Sequence, residues 1–262
     1  MSEKESVLLV EQSERVLKLC LNRPKVNAIN ADLIQALQAA LRQAERDSQV
    51  RCVLLAARGS TFSAGQDVNE IRQAQGTSFR GHLQCTYNPL ILQIRRLDKP
   101  VLAAINGSVS GAALGITLAC DLRIAADTAR FVVGFSGIGL APDSAVSLLL
   151  PALIGLGRAF EYTCSNAPLD AQQALTLGLV NRVVPAVELE SQSEMWAVAL
   201  AHGPVNAFGL AKRAFNKAIL ANLEEVLDYE AYLQDIAAQG EEHRQGLQAF
   251  LEKRPPNFYN LK

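Results

Sequence analysis

The sequence predicts an α/β fold with covered sheets, followed by a region that is mostly helical. Up to about residue 126 the chain repeats a rhythm of strand, strand and helix. From Asp170 onward, amphipathic patterns at helical spacing dominate. Of the 262 residues, 49% are hydrophobic and 19% charged, which is enough apolar material for a well-buried core and excludes intrinsic disorder.

The individual elements follow from runs and spacings of apolar residues. Strands are predicted over residues 7–10, 15–21, 52–57, 101–105 and 122–126. Helices are predicted over 30–47, 82–97, from a glycine-rich turn through Cys120, and over 170–177, 188–201, 205–221 and 224–251. Asn30 and Asp170 are the predicted N-caps, with Gly178 at the C′ position of the helix that Asp170 begins. The polar stretch from the turn at 58–63 to about Arg80 lacks a clear period.

Charge and hydropathy narrow the range of partners. Lys and Arg number 25 against 26 Asp and Glu, so the net charge of -1 gives no general attraction to nucleic acid or to an anionic membrane. Residues 101–120 are uncharged, but Asn106 and Gly107 break the run, which favours a strand, a turn and a helix over a membrane span. The first residues lack the pattern of a signal peptide. We therefore expect no nucleic-acid or membrane partner and a cytoplasmic location.

Several cofactor classes have no motif here. The three histidines, His82, His202 and His243, are far apart and form neither HxH nor HExxH. The sequence contains no P-loop, no GxGxxG and no GxSxG. We therefore expect no metal site and no nucleotide-phosphate chemistry of those kinds.

Two glycine-centred turns stand out. One is FSAGQD at 62–67, after a strand, and the other is NGSVSGAA at 106–113, between a strand and a helix. Such turns leave backbone N–H groups unpaired and pointing outward. Brought together, two of them would hold an oxyanion. From spacing alone, ordinary tight turns are the simpler interpretation.

Asp143 is the only ionisable residue between Phe131 and Gly157. A carboxylate in apolar surroundings is costly unless it is paired, and its pKa tends to rise. Such a group suits proton transfer near neutral pH. Its place before the apolar run 145–150 fits a helix N-cap as well, and the two roles are compatible.

Six segments in order resemble the crotonase family, also called the enoyl-CoA hydratase/isomerase superfamily. They are LNRP (21–24), NAIN (27–30), FSAGQD (62–67), KPVLAAING (99–107), ACDLRIA (119–125) and FLEKRP (250–255). The resemblance implies a spiral of β-β-α units, with an acyl-CoA-binding core over residues 1–200. It further implies a C-terminal helical region at 201–262 that builds a homotrimer or a dimer of trimers. Its substrate is an acyl-CoA thioester, and no cofactor is implied beyond the coenzyme A of that substrate.

The resemblance also assigns roles to particular residues. The oxyanion hole falls on the backbone N–H groups of Gln66 and Ala112. The positions that match the coenzyme A groove are Arg23, Val26, Ala28, Ala64 and Gln66. Phe250 and Lys253 match residues that reach the coenzyme A of a neighbouring subunit, with a solvated tail charge as the alternative explanation for Lys253.

The sequence departs from the family pattern at the positions of the acidic side chains. The two glutamates of the hydratases align with Gly115 and Phe135, so neither is present, and Asp143 is the carboxylate that remains. GQD, YNPL (87–90) and this aspartate resemble the 1,2-epoxyphenylacetyl-CoA isomerase branch. Residues 131–147 also resemble the 4-chlorobenzoyl-CoA dehalogenases, in which the aspartate is the nucleophile. Their water-activating histidine matches Asn88 here. Ala145 and Val146 replace two glycines usual after the aspartate, which predicts a narrower pocket.

These residues predict an acyl-CoA isomerase that shifts a double bond or rearranges a ring epoxide through an enolate, with Asp143 as the proton shuttle. An atypical enoyl-CoA hydratase or a dehalogenase is the first alternative, since it would use the same site. A non-catalytic scaffold that binds coenzyme A is the alternative of another class.

A broad apolar stripe runs along residues 205–221. Its members are Ala207, Leu210, Ala211, Ala214, Phe215, Ala218 and Ile219. A stripe of this width needs cover, because large exposed apolar patches are rare on monomers. The core of the same chain or a neighbouring subunit could supply that cover, and the family resemblance favours the neighbour.

Overall fold

Two sheets of mostly parallel strands lie at the centre of the structure. The computed structural model describes residues 6–23, 25–73 and 78–259. Pro24, residues 74–77 of the polar stretch and the two ends of the chain therefore lie outside the described residues. The strands of the described chain are β1 (Leu8–Ser13), β2 (Val16–Leu21), β3 (Cys52–Ala57), β4 (Thr61–Ser63), β5 (Val101–Ile105), β6 (Ser108–Ser110), β7 (Leu122–Ala126), β8 (Arg130–Val132), β9 (Leu169–Asp170) and β10 (Arg182–Val184).

Helices cover the sheets and make up most of the chain after β8. Within the described residues they are α1 (Ala31–Arg46), α2 (Val68–Gln73), α3 (Phe79–Cys85), α4 (Tyr87–Arg96), α5 (Ala112–Ala119), α6 (Val146–Ile154), α7 (Leu156–Ser165), α8 (Ala171–Thr176), α9 (Leu189–His202), α10 (Val205–Ile219), α11 (Leu223–Ala238) and α12 (Glu241–Leu251). The boundary predicted at residue 200 falls within α9.

The chain winds as a spiral in which each turn gives one strand to each sheet. The larger sheet has the order β1-β2-β3-β5-β7-β10 and the smaller one the order β4-β6-β8-β9. β3 is followed by β4, β5 by β6 and β7 by β8, and each pair leads into helices. Parallel pairing joins the successive turns. The predicted spiral of β-β-α units and the α/β class are confirmed.

The larger sheet is buried on both faces. Alternate residues such as Leu54, Leu102 and Ile124 face α9, while their neighbours Val53 and Ala103 belong to the main core beneath the other helices. This alternation follows from the two-residue period of a strand. It explains why these strands read as continuous apolar runs in the sequence.

Both predicted N-caps are confirmed. The side chain of Asn30 accepts a hydrogen bond from the N–H of Leu33, and α1 begins at the next residue. Asp170 forms a capping box with Gln173 at the start of α8. Gly178 follows the C-cap residue of that helix with φ of 78°, a conformation that glycine adopts without strain.

Two predicted helices are each broken in two. The helix expected over 82–97 is α3 and α4, because Pro89 lacks an N–H and its ring would clash with the carbonyl of Cys85 in a continuous helix. The helix expected over 224–251 is α11 and α12, which meet at Gly240, a residue of low helix propensity. The apolar period continues across both breaks, and this is why the pattern alone suggested one helix.

Short elements also occur where none was expected. The polar turn at 58–63 contains β4, and the polar stretch that follows contains α2. The side chain of Asp67 accepts a hydrogen bond from the N–H of Asn69, which is the local signal for the start of α2. Among the described helices, none is both long and apolar enough to span a bilayer. The uncharged residues 101–120 form β5, β6 and α5, as predicted.

The apolar stripe of α10 is exposed on the single chain. Leu210 and Phe215 are 63% and 68% exposed, and Ile219 is 61% exposed. The four alanines of the stripe are exposed as well. The core of the same chain therefore does not cover this face, which removes one of the two explanations for the stripe.

Gly107 offers a direct test of how closely β4 and β6 approach each other. A Cβ at this position would lie 2.0 Å from the carbonyl oxygen of Ser60, so we expect Gly107→Ala to lower the free energy of unfolding by about 2 kcal/mol or more. Gly157, in α7, has open space around it, and Gly157→Ala should be neutral or raise stability by up to about 1 kcal/mol. Chemical denaturation of both variants checks this. Equal stability would contradict the tight approach.

Candidate active site

The two glycine-centred turns lie side by side. Gly65, in the first turn, has φ of +89°, and a Cβ there would lie 2.8 Å from the carbonyl oxygen of Ser110 and 3.7 Å from the backbone nitrogen of Ala112. The hydroxyl of Ser110 also donates to the carbonyl of Ala64 at 2.9 Å. Only glycine at position 65 permits this contact between the turns.

The backbone N–H groups of Gln66 and Ala112 have no hydrogen-bond partner in the part of the chain that the structure describes. Ala112 is the first residue of α5, so its N–H has no acceptor within the helix. Among the described residues, neither N–H takes part in a hydrogen bond. Both residues line one cavity, so the turns bring together two free donors.

This cavity has a volume of about 560 Å³. Its wall is largely apolar, with Asp143 as the carboxylate among its lining residues. The other residues that the argument uses are Val26, Ala64, Gly65, Gln66, Ala112, Phe135, Ile138, Leu140, Gln234, Phe250 and Arg254. A cavity of this size and character is suited to a mainly apolar group with a few polar contacts.

Asp143 lies in the wall of the cavity with only 3% of its surface exposed. Its carboxylate accepts hydrogen bonds from the Ser144 hydroxyl at 2.8 Å and from Nε2 of Gln234 at 2.6 Å. Burial raises the pKa of Asp143 to about 6, although the two hydrogen bonds act in the opposite direction. A carboxyl group with this pKa gains and loses a proton readily near neutral pH.

The alternative role of Asp143 as a helix N-cap is wrong. The N-cap residue of α6 is Ala145, and its side chain makes no capping hydrogen bond. Ser144 and Ala145 have φ of 56° and 64°, so the backbone makes a left-handed step between the aspartate and the helix. The carboxylate of Asp143 accepts hydrogen bonds from Ser144 and Gln234 and not from an N–H group of α6.

Glu230 supplies the cap from another element. Its carboxylate accepts from the N–H groups of Ala145 and Ser147, at 2.8 and 3.0 Å, and from the Ser147 hydroxyl. It is 2% exposed, and burial raises its pKa to about 7. Ala145 and Val146 are themselves buried beside this cap and are not among the residues that line the cavity, so the predicted narrowing of the pocket stays a prediction.

Neither position that aligns with a hydratase glutamate can supply an acid. A Cβ at Gly115 would lie 2.4 Å from the carbonyl oxygen of Ser144, so the backbone of the aspartate loop fills the space where a side chain would be. Phe135 is buried in the cavity wall. The site therefore combines two N–H donors with one carboxyl group.

Some of the residues predicted to contact coenzyme A line the cavity and others do not. Val26 and Ala64 are exposed at its rim, and Gln66 is half-buried. The guanidinium of Arg23 forms an ion pair with Asp67 at 3.0 Å and donates to the carbonyl of Ala28. Arg23 and Ala28 therefore stabilise the first turn and are not among the residues that line the cavity.

Of the two C-terminal residues predicted to contact coenzyme A, one lines the cavity and the other does not. Phe250 is 56% exposed and lines the cavity of its own chain, together with Arg254. Lys253 is exposed, with φ of 54°, and is not among the lining residues.

Two further side chains lie near the site. Nε2 of Gln66 is 3.1 Å from Nε2 of His82, whose pKa burial lowers, so the ring is neutral near pH 7. Asn88, which matches the histidine of the dehalogenases, donates to the carbonyl of Leu227 at 3.1 Å and is buried outside the cavity lining. Within the described residues, no group of three or more potential ligands is arranged to hold a metal ion.

Gln234 and Glu230 are site residues that the sequence analysis missed. They lie 91 and 85 residues from the groups that they contact, so no local motif connects them to Asp143. One signal was available. On α11 they share the buried face with Leu227 and Ala231, and polar residues on an apolar face need a partner.

Comparisons with known proteins agree with this geometry. The family model for enoyl-CoA hydratase/isomerase matches residues 11–260. A 1,2-epoxyphenylacetyl-CoA isomerase of Escherichia coli (strain K12) is 37% identical over 96% of this chain and 97% of its own length. A probable enoyl-CoA hydratase of Rhodobacter capsulatus is 38% identical over 95% and 96%. A solved enoyl-CoA hydratase/isomerase from Pseudoalteromonas atlantica T6c superposes with a TM-score of 0.87 at 33% identity, covering 96% and 99% of the chains.

The β-β-α spiral places in one cavity a buried carboxyl group and two N–H groups without a partner among the described residues, an arrangement able to bind an oxyanion and to transfer a proton. The chain belongs to the enoyl-CoA hydratase/isomerase family, the crotonase family. It is an enzyme of this family, for which acyl-CoA thioesters are the expected substrates.

The two buried carboxyl groups predict how stability depends on pH. Their folded-state pKa values, about 6 for Asp143 and about 7 for Glu230, lie above those of the unfolded chain. The folded chain therefore binds more protons between about pH 4 and 7, and its stability falls as the pH rises through this window. In Asp143→Asn, the decrease in the free energy of unfolding across this pH window should be smaller than in the wild type by about 3 kcal/mol.

The measurement is urea denaturation at pH 4, 5, 6, 7 and 8. Asp32→Asn, at an exposed aspartate on α1, serves as the matched control and should leave the slope unchanged. A wild-type stability that rises steadily from pH 5 to 7, with Asp143→Asn parallel to it, would contradict the burial of this acid.

Proposed function

We propose that the protein is an acyl-CoA isomerase that shifts a double bond, or rearranges a ring epoxide, through an enolate. The thioester oxygen accepts hydrogen bonds from the N–H groups of Gln66 and Ala112. These donors acidify the carbon next to the thioester, or the vinylogous carbon beyond it. Asp143 takes a proton from one carbon and returns it to another.

The observation that carries this proposal is a single buried carboxyl group in the wall of the cavity that two free N–H groups also line. A 1,3-shift of a proton on one face needs one base, which becomes the acid of the second step. The pKa of Asp143, about 6, allows it to serve in both forms. The relative from Escherichia coli, whose name describes an isomerase, agrees with this assignment.

Hydration by the usual pair of glutamates is less well supported. Water addition is normally served by two acids, and the contact between Gly115 and Ser144 leaves no room for the first of them. The Rhodobacter capsulatus relative is named a probable enoyl-CoA hydratase, and this name supports the hydratase alternative. An atypical hydratase would have to activate water with Asp143 alone.

A dehalogenase would use Asp143 as a nucleophile and a second group to activate water. Asn88 is a weak base, and its amide donates to a backbone carbonyl away from the cavity. His82 contacts Gln66 and is also absent from the cavity lining. This chemistry therefore lacks its second group among the described lining residues.

The coenzyme A portion of the substrate would lie at the open side of the cavity. Val26, Ala64 and Gln66 form one rim, and Phe250 and Arg254 form the other. We propose that this rim contacts the pantetheine arm. Lys253, exposed on the same tail, is free to meet a phosphate of this or a neighbouring subunit's ligand.

We propose, too, that the protein assembles as a homotrimer or a dimer of trimers. The support is the exposed apolar face of α10, which the core of its own chain leaves uncovered. A continuous apolar face of this kind is typical of a surface that another protein covers.

The direct test of Asp143 is the nearly isosteric Asp143→Asn, which cannot accept the proton. We expect turnover of 3-enoyl-CoA or of the aromatic epoxide thioester to fall by about 10²- to 10⁴-fold, while the Kd of a saturated acyl-CoA stays within about threefold. Asp32→Asn should retain full activity. Absorbance assays and calorimetry measure the two quantities. Wild-type turnover by Asp143→Asn would end the proposal.

A panel of thioesters separates the remaining alternatives. Incubation with 2-enoyl-CoA and 4-chlorobenzoyl-CoA, followed by mass spectrometry, would detect added water or released chloride. If acyl-CoA binds but no member of the panel turns over, the non-catalytic scaffold is favoured instead. Isomerised product alone supports the proposal.

Assembly is tested on the exposed face of α10. Phe215→Glu places a charge in the apolar stripe and should lower the sedimenting mass, because a buried unpaired charge destabilises an interface. Asn206→Glu, at an exposed polar position of the same helix, is the matched control and should not change the mass. A wild-type protein that sediments as a single chain at micromolar concentration would rule out the trimer.

A further inference from the structure

Two polar side chains of α11 contact the segment that carries Asp143. Nε2 of Gln234 donates to Oδ2 of Asp143 at 2.6 Å. Glu230 lies one turn earlier on the same face of the helix and accepts from the N–H groups of Ala145 and Ser147. One helix thus contacts both the carboxyl group and the peptide groups that follow it.

The segment needs such support because its backbone is strained. Ser144 and Ala145 both have positive φ, and this left-handed conformation is costly for residues other than glycine. The first turn of α6 has no cap from its own N-cap residue. Without Glu230 the buried N–H of Ala145 would be unpaired and the N–H of Ser147 would lose its acceptor, so the carboxylate of Glu230 holds the strained step in place.

Gln234 is poorly explained by packing. It is 1% exposed, and its Oε1 atom has no hydrogen-bond partner among the described residues. A buried carbonyl group without a partner lowers stability, and an apolar side chain of similar shape would avoid this loss. The favourable contact that remains is the one with Asp143, which points to a role at that carboxyl group.

We propose that Gln234 and Glu230 are positioning residues for Asp143, Gln234 by orienting its carboxylate and Glu230 by holding the turn behind it. This inference rests on the proposed function of Asp143 as the proton carrier. Neither residue is required to touch the reacting carbon atoms. Their effect is to keep one orientation of the carboxyl group through both proton transfers.

Two titratable groups on neighbouring helices respond to the charge of Asp143, which adds to the larger effect of burial in raising the pKa of Glu230 on α11 and of Tyr87 on α4. The pKa of Asp143 itself is raised by burial, and Gln234 opposes that effect by stabilising the ionised form through a hydrogen bond. Loss of that donor should raise the pKa of the carboxyl group, an effect that mere loss of packing would not produce.

The first experiment follows the titration of Asp143 by carbon NMR in aspartate-labelled protein, with Asp143→Asn used to assign the signal. In Gln234→Met we expect the midpoint to rise by about one pH unit, a tenfold weaker acid. In the isosteric Gln234→Glu, which adds a like charge, it should rise further. Gln239→Met, at the exposed end of α11, is the matched control and should leave the midpoint unchanged. An unchanged midpoint in a folded Gln234 variant overturns the proposal for this residue.

The second experiment addresses Glu230 by kinetics. Glu230→Gln should lower kcat at least tenfold and leave KM within about twofold, because the turn and not the binding rim is disturbed. Glu225→Gln, at an exposed position of the same helix, is the control. An unchanged kcat overturns the role of Glu230. The NMR titration needs no substrate, so it still tests Gln234 if Asp143→Asn shows that the proposed function is wrong.

Discussion

The burial of one carboxyl group, that of Asp143, is the constraint on which the rest of the site depends. An unpaired charge in apolar surroundings is costly, and here two hydrogen bonds, from Ser144 and Gln234, offset part of that cost. The remaining cost appears as a raised pKa, which makes the group useful for proton transfer near neutral pH. The left-handed step directly after Asp143 and Gln234 of α11 both lie against this group.

The two backbone donors depend on the spiral. Its successive turns place the ends of β4 and β6 next to each other, so the loops that follow these strands meet at one point. The contact is too close for a Cβ at Gly65, and the same closeness brings the N–H groups of Gln66 and Ala112 to one cavity. The contact of Gly115 with Ser144 in turn links this loop to the segment of Asp143. Donors and carboxyl group are therefore parts of one packed unit.

How far the sequence predicts this arrangement depends on the range of the interactions. Asn30 and Asp170 accept hydrogen bonds from residues three positions further along the chain, so both N-caps could be predicted directly from the local sequence. Asp143 stood out because no other charge lies near it in the chain. Its partner Gln234 could not be found this way, since their contact joins residues 91 positions apart. The break at Pro89 was visible in the sequence but was outweighed by the apolar period on either side of it.

The most direct test of the central claim is isomerisation of 3-enoyl-CoA in D₂O. A buried carboxyl group that carries the proton between two carbons should return most of the substrate's own hydrogen, because Asp143 is only 3% exposed and we expect this burial to slow the exchange of its proton with solvent. We therefore predict that less than about half of the product carries solvent deuterium at the new position. Complete deuterium incorporation, or a 3-hydroxyacyl product labelled from ¹⁸O water, would contradict a single buried proton shuttle.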